Sequence, residues 1–163
     1  MLMTIKVGDK IPRATLRQVT PDGAVPVSSE DFFAGRKVVL FGLPGAFTPT
    51  CHKNHLPGFI EHEKAFKAKG VAEIAMTAVN DHYVLDAWAK ATGATGHVTF
   101  LADGNGEFAK ALGLEFDGGM GGLGLRSKRY SMLIDDGVVK QLFVEESPGK
   151  ADLSGAAHLL AAM

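Results

Sequence analysis

The chain has 163 residues, 20 of them glycine and one of them cysteine, and a formal charge of −1 at pH 7. That length is one domain, expected over residues 1–163, with enough buried surface to fold without a disulfide or structural metal. The near-zero charge excludes the basic field that nucleic acid or an anionic membrane requires, and a lone Cys51 excludes a disulfide framework and any zinc site built on two cysteines.

Short alternating runs at 13–19 and 24–27 flank Pro21-Asp22-Gly23 and predict an N-terminal β-hairpin. Ser28 or Ser29 is placed to cap a short helix through Phe32 and Phe33 that Gly35 ends. Lys37–Gly42 (KVVLFG) is a compact run of β-formers, as expected of a buried central strand. A loop with two prolines follows, then a helical pattern over 50–69 with Leu56, Phe59, Ile60 and Phe66 on one face and Glu63 paired to Lys67. Pro57 inside it should bend or divide the helix. Residues 73–79 form a second central strand, and Asn80-Asp81 caps a helix to about residue 91 with Val84, Leu85 and Trp88 on one face. A strand at 98–102 and a short helix at 106–112 come next. Runs at 130–134 and 138–144 around Asp135-Asp136-Gly137 predict a second hairpin, and Ser154 caps a last helix to residue 161. This order predicts an α/β fold: a central mixed β-sheet with helices on both faces and a β-hairpin at the N-terminus.

The chemistry concentrates in Pro44-Gly45-Ala46-Phe47-Thr48-Pro49-Thr50-Cys51, which joins a buried strand to a helix. Cys51 falls in the first helical turn, where free N–H groups and the positive end of the helix dipole favour a thiolate, the reactive form. Thr48, three residues earlier, is spaced to aim a hydroxyl at the sulfur or at an incoming oxygen. Pro44 and Pro49 stiffen the loop and shield the sulfur. A lone cysteine is also, more plainly, a small buried hydrophobe, and Arg129 by itself reads as a solvated charge beside Arg126 and Lys128.

PGAFTPTCHKNHLPGF resembles the active-site loop of the peroxiredoxins, and its form is similar to that of the type II, or peroxiredoxin-5-like, subfamily. KAKGVAEIAMTAVND and SKRYSMLIDDGVVKQLFVE extend the resemblance to about residues 4–160. It implies a thioredoxin-like fold and a thiol peroxidase, an antioxidant activity on hydrogen peroxide and small alkyl hydroperoxides. It also implies catalytic roles for Cys51 as the attacking sulfur, Thr48 as the loop hydroxyl, Pro44 as the proline over the pocket, and Arg129 as the late arginine. Cys51 would pass through a sulfenic acid. The second cysteine of some members is absent: Met76 and Leu153-Ser154 stand at its two locations. An external thiol must therefore close the cycle, glutathione with glutaredoxin first and thioredoxin second. No metal, haem or flavin is implied, and a homodimer is.

Other signals are weaker. Gly119-Met120-Gly121-Gly122-Leu123-Gly124 satisfies G-x-G-x-x-G, but with no strand expected before it and a strand after it the context is wrong for a dinucleotide. His52, His55 and His62 follow Cys51 without a complete metal-ligand spacing, and His55 is better placed to support the site by hydrogen bonding. Phe47, Trp88 and Phe116 read as core or interface. The first ten residues lack a secretory apolar run and no stretch reaches the roughly 20 apolar residues of a membrane span, so a cytoplasmic location is expected. The alternatives to a peroxidase are a monothiol disulfide oxidoreductase and a redox-sensing binding module, both built on Cys51.

Overall fold

A computed structural model describes residues 4–147 and 150–163; residues 1–3 and 148–149 of the expected domain lie outside the described residues. The N-terminal hairpin is β1 (Thr15–Thr20) paired antiparallel with β2 (Gly23–Ser28). Of the two candidate caps for α1 (Ser29–Phe33), Ser28 serves: its hydroxyl accepts from the Glu30 N–H. Ser29 turns inward instead and bonds the backbone of Pro12 and Ala14. The apolar run KVVLFG is β3 (Lys37–Gly42), and every residue of it after Lys37 is buried.

The helical stretch after β3 begins with one widened turn, Cys51–His55, in which the Leu56 N–H reaches back five residues to the Cys51 carbonyl. Pro57, which has no N–H to give the ladder, sits at the start of α2 (Leu56–Glu61) immediately after that turn. The helix is therefore widened before Pro57 and divided only at His62 (φ −97°, ψ 10°), where α3 (Glu63–Ala68) begins. Then follow β4 (Glu73–Ala78), α4 (His82–Thr92) capped by the Asp81 carboxylate on the Val84 N–H, β5 (Thr99–Ala102) and α5 (Glu107–Leu112).

The structure departs from expectation after α5. A short ribbon, β6 (Glu115–Asp117) against β7 (Leu125–Ser127), carries the glycine-rich segment at its tip. A strand thus does lead into G-x-G-x-x-G, but an antiparallel strand follows, with a three-residue 3-10 turn (Gly119–Gly121) between them in place of the α-helix whose N-terminus would hold a phosphate. β8 (Tyr130–Asp135) and β9 (Val138–Val144) form the late hairpin, with Asp136 (φ 49°) and Gly137 (φ 76°) both left-handed, as a tight two-residue hairpin turn requires. The last helix is α6 (Ala156–Ala162), and its cap position is Gly155; Ser154 is used elsewhere.

The strands make one seven-stranded sheet in the order β2-β1-β5-β4-β3-β8-β9, with β3, β4 and β5 parallel and the other pairs antiparallel. Alternation along β3 divides the core between two faces. Val39 and Phe41 pack with Met76, Phe59, Phe66, Trp88, Leu159 and Cys51. Val38 and Leu40 pack with Phe32, Phe33, Phe108 and Leu112. Gly42, the last residue of β3, pairs with Tyr130, and a Cβ at Gly42 would run into the Tyr130 ring. Gly42→Ala is expected to cost about 1–3 kcal/mol by overpacking, read as a lower urea midpoint at unchanged slope; an unaltered midpoint would show that the Tyr130 ring yields freely.

Candidate active site

Cys51 is held by what happens at the end of β3. The chain leaves Gly42, turns through Leu43–Thr50, and re-enters helix with the Thr48 carbonyl accepting from the His52 N–H at 2.9 Å. Three contacts fix that turn. The Ala46 N–H donates to Asn80 Oδ1 at 2.9 Å. The Thr48 hydroxyl donates to the Gly45 carbonyl at 2.7 Å. Arg126 spans to the glycine-rich tip, giving Nη1 to the Pro44 carbonyl (3.3 Å) and Nε to the Leu123 carbonyl (2.9 Å). Phe47 is forced to φ 64°, a conformation costly for a side chain of its size, and its ring lies half out in solvent over His52.

The sulfur itself is fully buried. Arg129, only 2% exposed although it is 78 positions away in sequence, places Nη2 at 2.9 Å from Cys51 Sγ. Its Nη1 lies 3.1 Å from His55 Nδ1. His55 is buried among the rings of Phe41 and Phe59 and bonds through Nε2 to the Ser154 carbonyl at 3.0 Å. Burial first, and the neighbouring Arg129 charge second, push the His55 pKa down from 6.5 to about 3, so the imidazole is neutral at neutral pH.

Cys51 and Arg129 are thus in direct contact. Thr48 lies in the same turn, but its hydroxyl proton goes to Gly45 rather than to the sulfur, which leaves its oxygen as an acceptor. Pro44 is buried and its carbonyl is engaged by Arg126; Pro49 is exposed. His52 accepts the Trp88 indole N–H at Nδ1 (2.9 Å), and His62 bonds the Gly58 carbonyl, so the three histidines face different partners. Among the described residues no three His, Cys, Asp or Glu side chains are grouped to hold a metal ion. Trp88 is core, Phe116 is half-buried and Phe47 exposed. Met76 is buried on the Cys51 face of the sheet, and Leu153 is exposed. A surface cavity of about 910 Å³, lined by residues including Thr20, His82, Tyr83 and His97, has no wall in common with Cys51. Asn80 and Arg126 are loop-holding residues that motif reasoning did not single out. By sequence Asn80 reads as a helix cap and Arg126 as part of a basic cluster, and only the folded loop gives them amide and carbonyl partners.

This arrangement, a buried cysteine at the start of a helix facing a buried arginine across a thioredoxin-like sheet, is that of a thiol-redox protein. A family model described as Redoxin matches residues 6–160, and the chain belongs to that family. Peroxiredoxin-2C of Oryza sativa subsp. japonica is 47% identical over 160 residues, covering 98% of each chain. Peroxiredoxin-2E-2, chloroplastic, of the same plant is 49% identical over 168 residues, covering 100% of this chain and 74% of that one. The crystal structure of reduced Prx3 in complex with hydrogen peroxide from Vibrio vulnificus superposes with a TM-score of 0.92 at 50% identity, covering 98% of this chain and 99% of the other. Within the redoxins this is a type II, peroxiredoxin-5-like peroxiredoxin with one cysteine, and its activity is that of a thiol-dependent peroxidase.

The buried neutral His55 makes the fold acid-sensitive. The unfolded chain binds a proton at this residue below about pH 6.5, while the folded protein does not until about pH 3. Stability is therefore fully present above pH 6.5 and falls as pH drops toward 3, by about 2 kcal/mol between pH 7 and pH 5. Urea unfolding at the two pH values should show that loss in the wild type and lack it in His55→Asn; equal losses in both would place the acid sensitivity elsewhere.

Proposed function

We propose that Cys51 is the attacking residue of this peroxidase and that Arg129, Thr48 and Pro44 complete its site, in one domain. The observation that carries the reading is the 2.9 Å contact from Arg129 Nη2 to the buried Sγ. A guanidinium has only donors to offer, so its natural partner is a thiolate rather than a thiol. The thiolate attacks one peroxide oxygen, the S–O bond forms as the O–O bond breaks, and the departing oxygen leaves as water or an alcohol after taking a proton. Arg129 and the N–H groups of the first helical turn face the charge that develops on the oxygens. Thr48 Oγ1, its own proton committed to Gly45, accepts from the peroxide O–H and orients it. Pro44, buried beside the turn, keeps bulk water from the sulfur. A sulfur with no exposed surface suits hydrogen peroxide and small alkyl hydroperoxides.

Cys51 then stands as a sulfenic acid. One external thiol displaces water to form a mixed disulfide, and a second thiol reduces that disulfide, returning the Cys51 thiol and releasing the oxidised donor. With no second cysteine in the chain, glutathione with glutaredoxin is the first candidate donor and thioredoxin the second. An enzyme that depends on such thiols belongs where they are kept reduced, which supports a cytoplasmic location. Among the described residues no helix is long and apolar enough to cross a membrane. We further propose a homodimer. Phe47, Met120 and Leu123 leave apolar surface exposed, and Arg126 ties the loop of the first to the tip that carries the other two.

Arg129→Met, an uncharged side chain of similar reach, is expected to slow peroxide reduction on the order of a hundredfold or more while the protein stays folded. Near-normal turnover in that variant would remove Arg129 from the site. Steady-state turnover with glutathione and glutaredoxin should exceed that with thioredoxin. Fast oxidation without turnover by either donor would favour a redox sensor, and deglutathionylation without peroxide consumption a disulfide oxidoreductase.

A further inference from the structure

His55 reaches two partners of fixed character. The Ser154 carbonyl can only accept, so Nε2 must carry the hydrogen; in the neutral ring Nδ1 is then a bare lone pair, which is what an Arg129 N–H requires. The other tautomer would set a ring N–H against the guanidinium N–H. The Ser154 carbonyl therefore determines whether His55 receives Arg129 or repels it.

Ser154 is itself pinned. Its backbone N–H and its hydroxyl both donate to one oxygen of Glu145, Oε2, each at 2.7 Å. Glu145 is 8% exposed and Ser154 fully buried. Glu145 is also tied directly to the arginine, because its N–H donates to the Arg129 carbonyl at 2.9 Å. The contacts form a chain that starts at the sulfur and then closes on itself: guanidinium, imidazole, Ser154, Glu145 and back to the arginine backbone. None of its members beyond Cys51 and Arg129 touches a reacting atom.

We infer that Glu145 is a positioning residue for the peroxidase reaction, clamping Ser154 so that its carbonyl selects the His55 tautomer that aims Arg129 at Cys51. The inference rests on the reading of Cys51 and Arg129 given above. It makes the segment before α6 part of the device that sets sulfur reactivity, in addition to its packing.

The test measures two quantities on folded, reduced protein: the rate of Cys51 oxidation by hydrogen peroxide, and the ultraviolet thiolate absorbance at fixed neutral pH with the matching Cys51→Ser protein as blank. Glu145→Ala is expected to lose about tenfold in rate, the low end of what partners that orient a functional side chain contribute, together with thiolate signal. Glu145→Gln keeps an oxygen for Ser154 and should recover most of that loss. At the next link, His55→Asn, which offers an oxygen where Nδ1 stood, should oxidise faster than His55→Leu. A purely structural clamp would lower the melting temperature and leave rate and thiolate signal alone, and that result overturns the inference. If Glu145→Ala does not fold, Ser154→Ala decides: it removes one of the two bonds to Glu145, and an unchanged rate overturns the inference as well. A wild-type protein no faster than a free thiol would instead overturn the reading of Cys51, so the two failures are distinguishable.

Discussion

A guanidinium buried beside a buried sulfur is the constraint around which the rest of this molecule is arranged. A cation withdrawn from water costs several kcal/mol unless acceptors face it, and Arg129 is almost wholly withdrawn. Cys51 Sγ and His55 Nδ1 are two acceptors facing it, and both come from the same widened turn. That turn permits the pairing. Cys51 and His55 are its first and last residues, and the reach of the Leu56 N–H back to the Cys51 carbonyl accommodates Pro57 directly after it. Local helix geometry and site electrostatics are therefore one feature here.

The sheet supplies the other half. β3 delivers the cysteine loop from its C-terminal end, and β8, its antiparallel neighbour, starts at the same level, so the residue just before β8 arrives beside the helix that follows β3. In open α/β sheets the crevice beyond the C-terminal strand ends is where sites are built, because helix N-termini and loops converge there. Gly42 opposite Tyr130 allows the close approach of the two strands at that level. The loop over the site is then held from two directions, by Asn80 after β4 and by Arg126 from the ribbon. The strain at Phe47 shows that these contacts, rather than local preference, set its course.

Much of this was legible in the residues. The strand runs, the Asp-Gly hairpin and the loop motif around Cys51 each carry a local signal, and each became the element its chemistry suggested. Ribbon β6–β7 did not, because its strands are three residues long and both flank a glycine-rich tip, leaving no periodicity to read. The Glu145–Arg129 contact was hidden for a different reason. Counting back from the Asp136-Gly137 turn in strict register sets Arg129 opposite Val144, but an irregularity between Leu133 and Ile134 adds one residue to β9 and brings Glu145 there instead. The direction of the Thr48 hydroxyl is likewise a property of the folded turn: its spacing to Cys51 suits a bond to sulfur, yet the Gly45 carbonyl is nearer to hand.

Above all we propose that a buried arginine keeps a buried cysteine reactive. Stopped-flow oxidation of the reduced protein by hydrogen peroxide at neutral pH, with Cys51→Ser as blank, tests it most directly. The expected second-order rate is orders of magnitude above that of a free thiol. A rate no greater than that of an ordinary cysteine would contradict it and leave the Arg129–Cys51 contact as packing alone.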